Sequence, residues 1–361
     1  MKIAFVLGTR PEIIKMAPLI VECEKRNISH FIVHSNQHYS KELDEIFFDE
    51  LKLALPHYNL NVGSASHAIQ TGKIMIGIEE ILSNEKPSVV LVEGDTNTVL
   101  AGALTASKLQ IKVGHVEAGL RSYYREMPEE INRTLTDHCS DMLFAPTEKS
   151  RNILLKEGIS EDKIFVTGNT IVDAINRSLQ LTHKNEDMFA EMDLVNKDYF
   201  LLTLHRQENV DNEQRLQDIM FGINAVIEEF NLPIIFPIHP RTKKMLEEFC
   251  VRIPKGVKVI NPIGYLDFLL LQSHARLVLT DSGGIQEESC ILKIPCVTLR
   301  DNTERPETIE VGANILAGST PPNILSSARE MLNRRADWQN PFGDGRASKR
   351  IVDVLFKIKC I

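Results

Sequence analysis

The sequence predicts an α/β protein of two Rossmann-like domains that face each other across a cleft. Three observations carry that prediction. Short continuous apolar runs alternate with helical patterns from end to end, the signature of parallel sheets covered on both faces. The alternation pauses once, over the polar stretch "LTHKNEDMFAEMDLVNKD" (181–198), and then resumes as a second series. The length of 361 residues suits about two domains. The expected boundaries are 1–180 for the first domain and 181–345 for the second, with a helix over 346–361 returning to the first.

Each strand of the first series follows from its own run: "KIAFVLG" (2–8), "HFIVHS" (30–35), "SVVLVEGD" (88–95), "KVGHVEA" (112–118), "DMLFAPT" (141–147) and "KIFVTGN" (163–169). The opening run is a strand and not a secretory leader, because Pro11 and Glu12 interrupt it and no small-residue cleavage site follows. Helical patterns such as "PEIIKMAPLIVECEKR" and "TVLAGALTASKL" lie between the strands. The second series comprises "YFLLTLH" (199–205), "PIIFPIH" (233–239), "VKVINPI" (257–263), "ARLVLTD" (275–281) and "IPCVTLR" (294–300). Sheets of this kind bind ligands beyond the carboxyl ends of their strands, so the residues just after each run are the candidates for chemistry.

Composition narrows the classes. A formal net charge of −8 without a block of like charges argues against nucleic acid and anionic membrane as partners. No run approaches the roughly 18 apolar residues of a membrane span. Six scattered cysteines without a C-x-x-C pair read as buried thiols in a reducing cytoplasm.

After the first strand, Gly8 permits a tight turn, and Pro11 suits the first turn of a helix, where it forfeits no hydrogen bond. Arg10 and Lys15 then stand near a helix N-terminus, a natural anion site, with two solvated cations as the plain alternative. The absence of G-x-G-x-x-G here argues against a dinucleotide. Asp95 reads either as the cap of the next helix or as a working carboxylate. His115 and Glu117, two apart on a strand, share one face as metal ligands would, but no third ligand stands at a recognised spacing, so no metal is expected. Pro128 opens the helix "PEEINRTLTDHCSDMLF" (128–144), with Glu129 and Arg133 on one face and Ile131 and Leu135 on another, apolar one. The helix dipole accounts for Glu129 and Glu130 in the first turn but not for Glu117.

In the second series, strands deliver His205 with Arg206, and His239 with Arg241; each histidine reads as structural or functional. The stretch "ARLVLTDSGGIQEESC" (275–290) is the most informative. A strand stops at Asp281, Ser282-Gly283-Gly284 make a small-residue turn, and a helix begins. Backbone N–H groups without side chains in the way suit a diphosphate, and Glu288, one turn in, suits ribose hydroxyls.

Six stretches in order, "GTRPEIIKMAPLI", "VEGDTNTVLAGAL", "HVEAGLRS…MPEEINR", "TLHRQENV", "DSGGIQEE" and "RDNTERPE", resemble the non-hydrolysing UDP-N-acetylglucosamine 2-epimerases over nearly the whole chain. The resemblance implies a GT-B-like pair of domains, catalytic carboxylates in the first and UDP binding in the second. It implies interconversion of UDP-N-acetylglucosamine and UDP-N-acetylmannosamine by elimination of UDP to a 2-acetamidoglucal and re-addition, without cofactor. Carried over residue by residue, it implies Asp95, Glu117, Glu129 and His205 as catalytic. Either Glu117 or Asp95 takes the C2 proton, and His205 assists UDP departure. It implies Arg10, Lys15, Ser282, Gly283 and Gly284 at the nucleotide, Glu288 at the ribose, Phe268 at the uracil, Arg305 near the phosphates, and Arg133 and His239 as further substrate contacts. A homodimer is also implied.

This chain departs from the family at Ile263, where a polar residue stands near the base. Of a second, activating nucleotide-sugar site it keeps Gln37, Arg206 and His239 but not an arginine near residue 70, so weakened activation is expected. A hydrolysing epimerase that releases N-acetylmannosamine, a GT-B glycosyltransferase and a non-catalytic nucleotide-sugar sensor are the alternatives.

Overall fold

In a computed structural model of the chain, the described residues are 1–36, 47–182, 188, 189, 192, 194 and 198–358. Gln37 and most of the polar stretch 183–197 lie outside them. The chain forms two compact units, Met1–Arg177 with Phe342–Ile361, and Ser178–Pro341.

The first unit holds strands β1 (Lys2–Leu7), β2 (Ser29–His34), β3 (Tyr58–Asn59), β4 (Val89–Glu93), β5 (Lys112–Val116), β6 (Met142–Ala145) and β7 (Ile164–Val166). They form one sheet in the order β3-β2-β1-β4-β5-β6-β7, every pair parallel. In the second unit, β8 (Phe200–Thr203), β9 (Ile234–Pro237), β10 (Val257–Ile260), β11 (Leu277–Thr280), β12 (Cys296–Thr298) and β13 (Asn314–Leu316) follow the order β10-β9-β8-β11-β12-β13. These pairs too are all parallel. Both units are therefore Rossmann-like, as the alternating runs predict. Strand order reverses between β1 and β4 in one sheet and between β8 and β11 in the other, and such reversals are where these sheets open to ligand.

Helices α1 (Arg10–Lys25), α2 (His67–Glu85), α3 (Asn97–Lys108), α4 (Pro128–Cys139), α5 (Glu148–Lys156) and α6 (Thr170–Thr182) belong to the first series. α7 (Gln207–Val210), α8 (Glu213–Phe230), α9 (Pro240–Glu248), α10 (Tyr265–His274), α11 (Gly283–Leu292), α12 (Pro306–Glu310) and α13 (Pro321–Asn333) cover the second sheet. Residues 3–7 of β1 and 89–92 of β4 are apolar and buried because helices cover both faces, and α3 sits close over them at Gly102, where a Cβ would stand 3.0 Å from Val6 and 3.2 Å from Val92. Helix α14 (Ala347–Ile358) packs on α1. Its first N–H groups, Ala347 and Ser348, donate to Asp173 of α6 at 3.1 and 3.0 Å, and Arg26 meets Asp353 at 2.6 Å.

One expectation fails on α4. The helix stops at Cys139, five residues short of Phe144, because Ser140 turns extended and Met142–Ala145 enters the sheet. Its apolar stripe, whose direction the periodicity leaves open, faces outward. Ile131 and Leu135 are 46% and 50% exposed, while Glu130, Asn132, Arg133, Thr136 and Asp137 are buried. A helix that turns its polar face inward has polar partners there, and those partners define the site.

Candidate functional site

In the first unit, the ends of β1, β4 and β5 bring acids and bases together. Lys15, on the second turn of α1, pairs with Glu117 just beyond β5 and stands 3.2 Å from Glu93, the last residue of β4. All three side chains are almost wholly withdrawn from water. Glu117 has a left-handed backbone, φ 71°, a conformation that costs a side-chain-bearing residue about 1–2 kcal/mol. Backbone bonds from the N–H groups of Glu117 and Ala118 to Phe144 O hold that turn, and Asn169 Nδ2 lies 3.4 Å from the Glu117 carboxylate. Gly8 is required by close approach, since a Cβ there would lie 2.2 Å from Thr98 Oγ1.

Glu12 joins this cluster. Its carboxyl accepts from the Gly8 N–H at 2.6 Å and the Thr9 hydroxyl at 2.9 Å. Burial raises it to about 7, with the charge of Asp95 adding to the rise and hydrogen bonds from Thr96, Thr9 and Gly8 opposing it. A carboxyl raised in the folded state binds a proton that the unfolded chain releases, so stability falls as pH climbs from about 4.5 to about 7. Urea denaturation of wild type and Glu12→Gln at pH 4.5 and 7.5 should therefore show the wild-type advantage shrinking by roughly 3 kcal/mol. A constant difference would show that Glu12 ionises normally.

Asp95 is half-buried and paired with Arg133. It is not the cap of α3; the side chain of Thr96 accepts from the Thr98 and Val99 N–H groups instead. Arg133 pairs with Glu130 at 2.9 Å, and not with Glu129, its neighbour on the helix face. Burial would lift the Glu130 carboxyl, but donors on Ser122, Arg133 and Tyr123 outweigh it and hold it below the usual range. Glu129 stands half-buried in the first turn of α4. Arg10 is exposed, with its guanidinium 4.8 Å over the Phe47 ring.

His115 does not share a face with Glu117, because β5 ends at Val116 and Glu117 turns away. Its ring nitrogens lie 2.6 Å from Asp137 and 2.9 Å from Gly94 O, and Arg121 clasps the other Asp137 oxygen at 2.8 Å. His115 braces the turn that carries Asp95. Among the described residues, no group of three or more His, Cys, Asp or Glu side chains is arranged to hold a metal.

In the second unit, Asp281 is fully buried at the end of β11. It accepts from the His205 and Arg206 N–H groups at 3.0 and 2.9 Å, from Asn209 Nδ2 at 3.2 Å, and lies 3.0 Å from His205 Nδ1. Burial opposes its charge, yet the His205 contact and the N–H donors hold it below the usual range. One carboxylate thus aims the His205 ring and leaves Nε2 for other work. His239 caps α9, Nδ1 accepting from Arg241 N–H at 3.2 Å; burial and then the charge of His205 lower its pKa.

Ser282, Gly283 and Gly284 begin α11, with no side chain capping it. A Cβ at Gly284 would meet nothing within 4 Å, and one at Gly283 would lie 3.8 Å from Glu304 Oε2, which Arg300 pairs, and 4.0 Å from an Arg206 nitrogen. Arg206 Nε is buried without a hydrogen-bond partner among the described residues. Open space, helix N–H groups and a cation are the features that suit an anion. Glu288 is buried; Tyr265 nearby is raised far above its usual range, by burial first and by the Glu288 charge second. Phe268 and Ile263 pack half-buried against the Tyr199–Leu271 cluster. Arg305 is engaged by the buried Glu287 at 2.8 Å.

Against known proteins, the UDP-N-acetylglucosamine 2-epimerase family model matches residues 21–356. The chain belongs to that family. It is 59% identical over 361 residues to the UDP-N-acetylglucosamine 2-epimerase of Methanocaldococcus jannaschii, covering 98% of this chain and 99% of that one. A crystal structure of the epimerase from that organism, in complex with UDP-GlcNAc and UDP, superposes with a TM-score of 0.91 over 99% of this chain and 100% of that one, at 59% identity. A UDP-2,3-diacetamido-2,3-dideoxy-D-glucuronate 2-epimerase of Pseudomonas aeruginosa is 40% identical over 364 residues, 99% of this chain and 100% of its own.

As an epimerase-family chain, it gathers Lys15, Asp95, Glu117 and Arg133 at the strand-order reversal of its first unit, and His205 with Ser282 and Gly283 at that of its second. Sequence reasoning passed over Glu12, Glu93 and Asp137 and gave Asp281 no role. A signal existed for Glu93, a charged residue at the end of a strand otherwise apolar and buried.

Proposed function

We propose that this chain interconverts UDP-N-acetylglucosamine and UDP-N-acetylmannosamine by elimination and re-addition of UDP. The observation that carries the reading is the buried Glu117 carboxylate held against Lys15 on a left-handed turn at a ligand-opening strand end. A positioned carboxylate of this kind suits general base catalysis. Glu117 takes the C2 proton, the C1–oxygen bond breaks, C1 and C2 become doubly bonded, and UDP leaves with the electron pair. Re-addition of the UDP oxygen to C1, with a proton delivered to the opposite face of C2, inverts that centre. Asp95, supported by Arg133, and Glu129 serve that second proton transfer. His205, aimed by Asp281, stabilises or protonates the departing UDP.

The first unit is thereby the catalytic domain and the second the UDP-binding domain. The α11 glycine turn and Arg206 take the diphosphate, with Arg10 and Arg305 adding positive charge. Glu288 takes the ribose and Phe268 the uracil, while His239 is a further substrate contact. Weakened activation by a second nucleotide sugar stays part of this reading, since no arginine stands near residue 70, where the resemblance implies one. A linear dependence of rate on low substrate concentration would support it, and sigmoidality would oppose it. Ile131 and Leu135, exposed beside Tyr123 and Met75, support a homodimer with this apolar face covered, which sedimentation equilibrium tests. The five described cysteines are all free thiols, which supports a cytoplasmic location; fractionation of the cells checks it. Among the described residues, no helix is long and apolar enough to cross a membrane.

Proton NMR of the protein with UDP-N-acetylglucosamine in heavy water tests the whole reading. UDP-N-acetylmannosamine with deuterium at C2 in both sugars is the expected result. Free N-acetylmannosamine would mean hydrolysis. No change would favour a sugar with other ring substituents, such as the one that names the Pseudomonas relative, or a transferase lacking its acceptor.

Gly284→Ala tests the diphosphate assignment. The new methyl meets open space, so the fold should tolerate it or gain about 0.5–1 kcal/mol in the helix. UDP affinity should nevertheless fall about tenfold, the loss of one contact to a charged phosphate. Calorimetric titration with UDP that shows no loss would remove the glycine turn from the site.

A further inference from the structure

Glu93 is 1% exposed and stands in no family role given above. Its neighbours on β4 are apolar and buried, so the sheet has no use for a charge there. Lys15 Nζ lies 3.2 Å from Glu93 Oε1 and is also paired with Glu117. One ammonium therefore faces two carboxyl groups in a place without water, and two full negative charges would leave one uncompensated. Glu12 on α1, which also acts on Glu93, is acidic too and adds no positive charge. One carboxyl of the pair must keep its proton.

We propose that Glu93 is a positioning residue: protonated, it donates its O–H to Glu117 and, with Lys15, holds that carboxylate in place to take the C2 proton. The protonation fits the surroundings, since burial first and the neighbouring Glu117 charge next hold Glu93 well above the usual carboxylate range against the pull of Lys15. Glu93 touches no substrate in this arrangement. Its effect passes through Glu117, and the inference rests on the reading of Glu117 as the base.

A consequence is a specific alkaline limit. When Glu93 gives up its proton, the hydrogen bond becomes a repulsion between carboxylates, and Glu117 loses its position. The test is kcat and KM from pH 6 to 10 for wild type, Glu93→Gln and Glu93→Ala, with Glu117→Gln in parallel. Wild type should lose activity on an alkaline limb. Glu93→Gln, whose neutral amide also donates to Glu117, should keep kcat within about threefold and lose that limb. Glu93→Ala should lose about 30-fold or more in kcat with KM within about threefold. A wild type without an alkaline limb, a Glu93→Gln that keeps it or falls as far as Glu93→Ala, or a Glu93→Ala within twofold of wild type overturns the inference. Should Glu93→Ala fail to fold, the limb in Glu93→Gln decides alone. If Glu117→Gln stays active, it is the base assignment that fails; if Glu117→Gln is dead and the Glu93 variants behave as wild type, only this inference fails.

Discussion

Glu117→Gln is expected to lower kcat for epimerisation by about 100- to 10,000-fold, the range that one positioned acid or base contributes. The amide matches the carboxylate in shape but takes up no proton, so exchange of the C2 hydrogen in heavy water should vanish with turnover. The fold should survive. Glutamine meets the same backbone strain at φ 71°, and Glu93, 3.2 Å from Lys15, can release its proton to balance the ammonium once Glu117 carries no charge. A melting temperature near that of wild type, together with retained UDP binding, would assign the loss to chemistry. A kcat within tenfold of wild type would mean that another group takes the proton, with Asp95 the first candidate.

The second large effect belongs to Asp281→Ala, and it is one of stability as well as rate. That carboxylate receives the N–H groups of His205 and Arg206, the Asn209 amide and the His205 ring. Its removal leaves these part-buried donors and the buried Asn209 amide facing an apolar methyl, which should cost roughly 2–4 kcal/mol in urea denaturation. The His205 ring would also be free to turn, so kcat should fall beyond what partial unfolding explains. Because the folded carboxyl is held below the usual range, the stability it supplies is present at neutral pH and lost as pH drops through the acid range. The wild-type advantage over the variant should narrow accordingly in acid. An equal stability of the two proteins at pH 7 would show that water replaces the carboxylate without cost.

Much of the architecture was legible because buried parallel strands announce themselves as unbroken apolar runs. β3 and β13 were not, since Tyr58–Asn59 and Asn314–Leu316 are too short for any period to emerge. Periodicity also showed an apolar stripe on α4 at Ile131 and Leu135 without saying which way it faces. The polar side won the interior because Arg133, Glu130 and Asp137 find partners at Asp95, the Ser122 N–H and His115. Two of those partners, Asp95 and His115, lie 38 and 22 residues off in sequence, and pairing of that sort leaves no local mark. The cap of α3 stayed open for a similar reason, as Asp95 and Thr96 are both good caps and only the backbone path chooses between them. Glu93 is the instructive miss, because a charge ending a buried strand needs a partner and so points to one.

The nesting of the two units sets an order of completion. Ser178–Pro341 is one continuous stretch, whereas the unit that starts at Met1 also needs Phe342–Ile361. A growing chain therefore holds every residue of the second unit while the first still lacks α14. A premature stop at Pro341 would leave α1 uncovered and Asp173 without the Ala347 and Ser348 donors it accepts. Damage to the codons for α14 would fall on the unit whose strands are translated before those of the other.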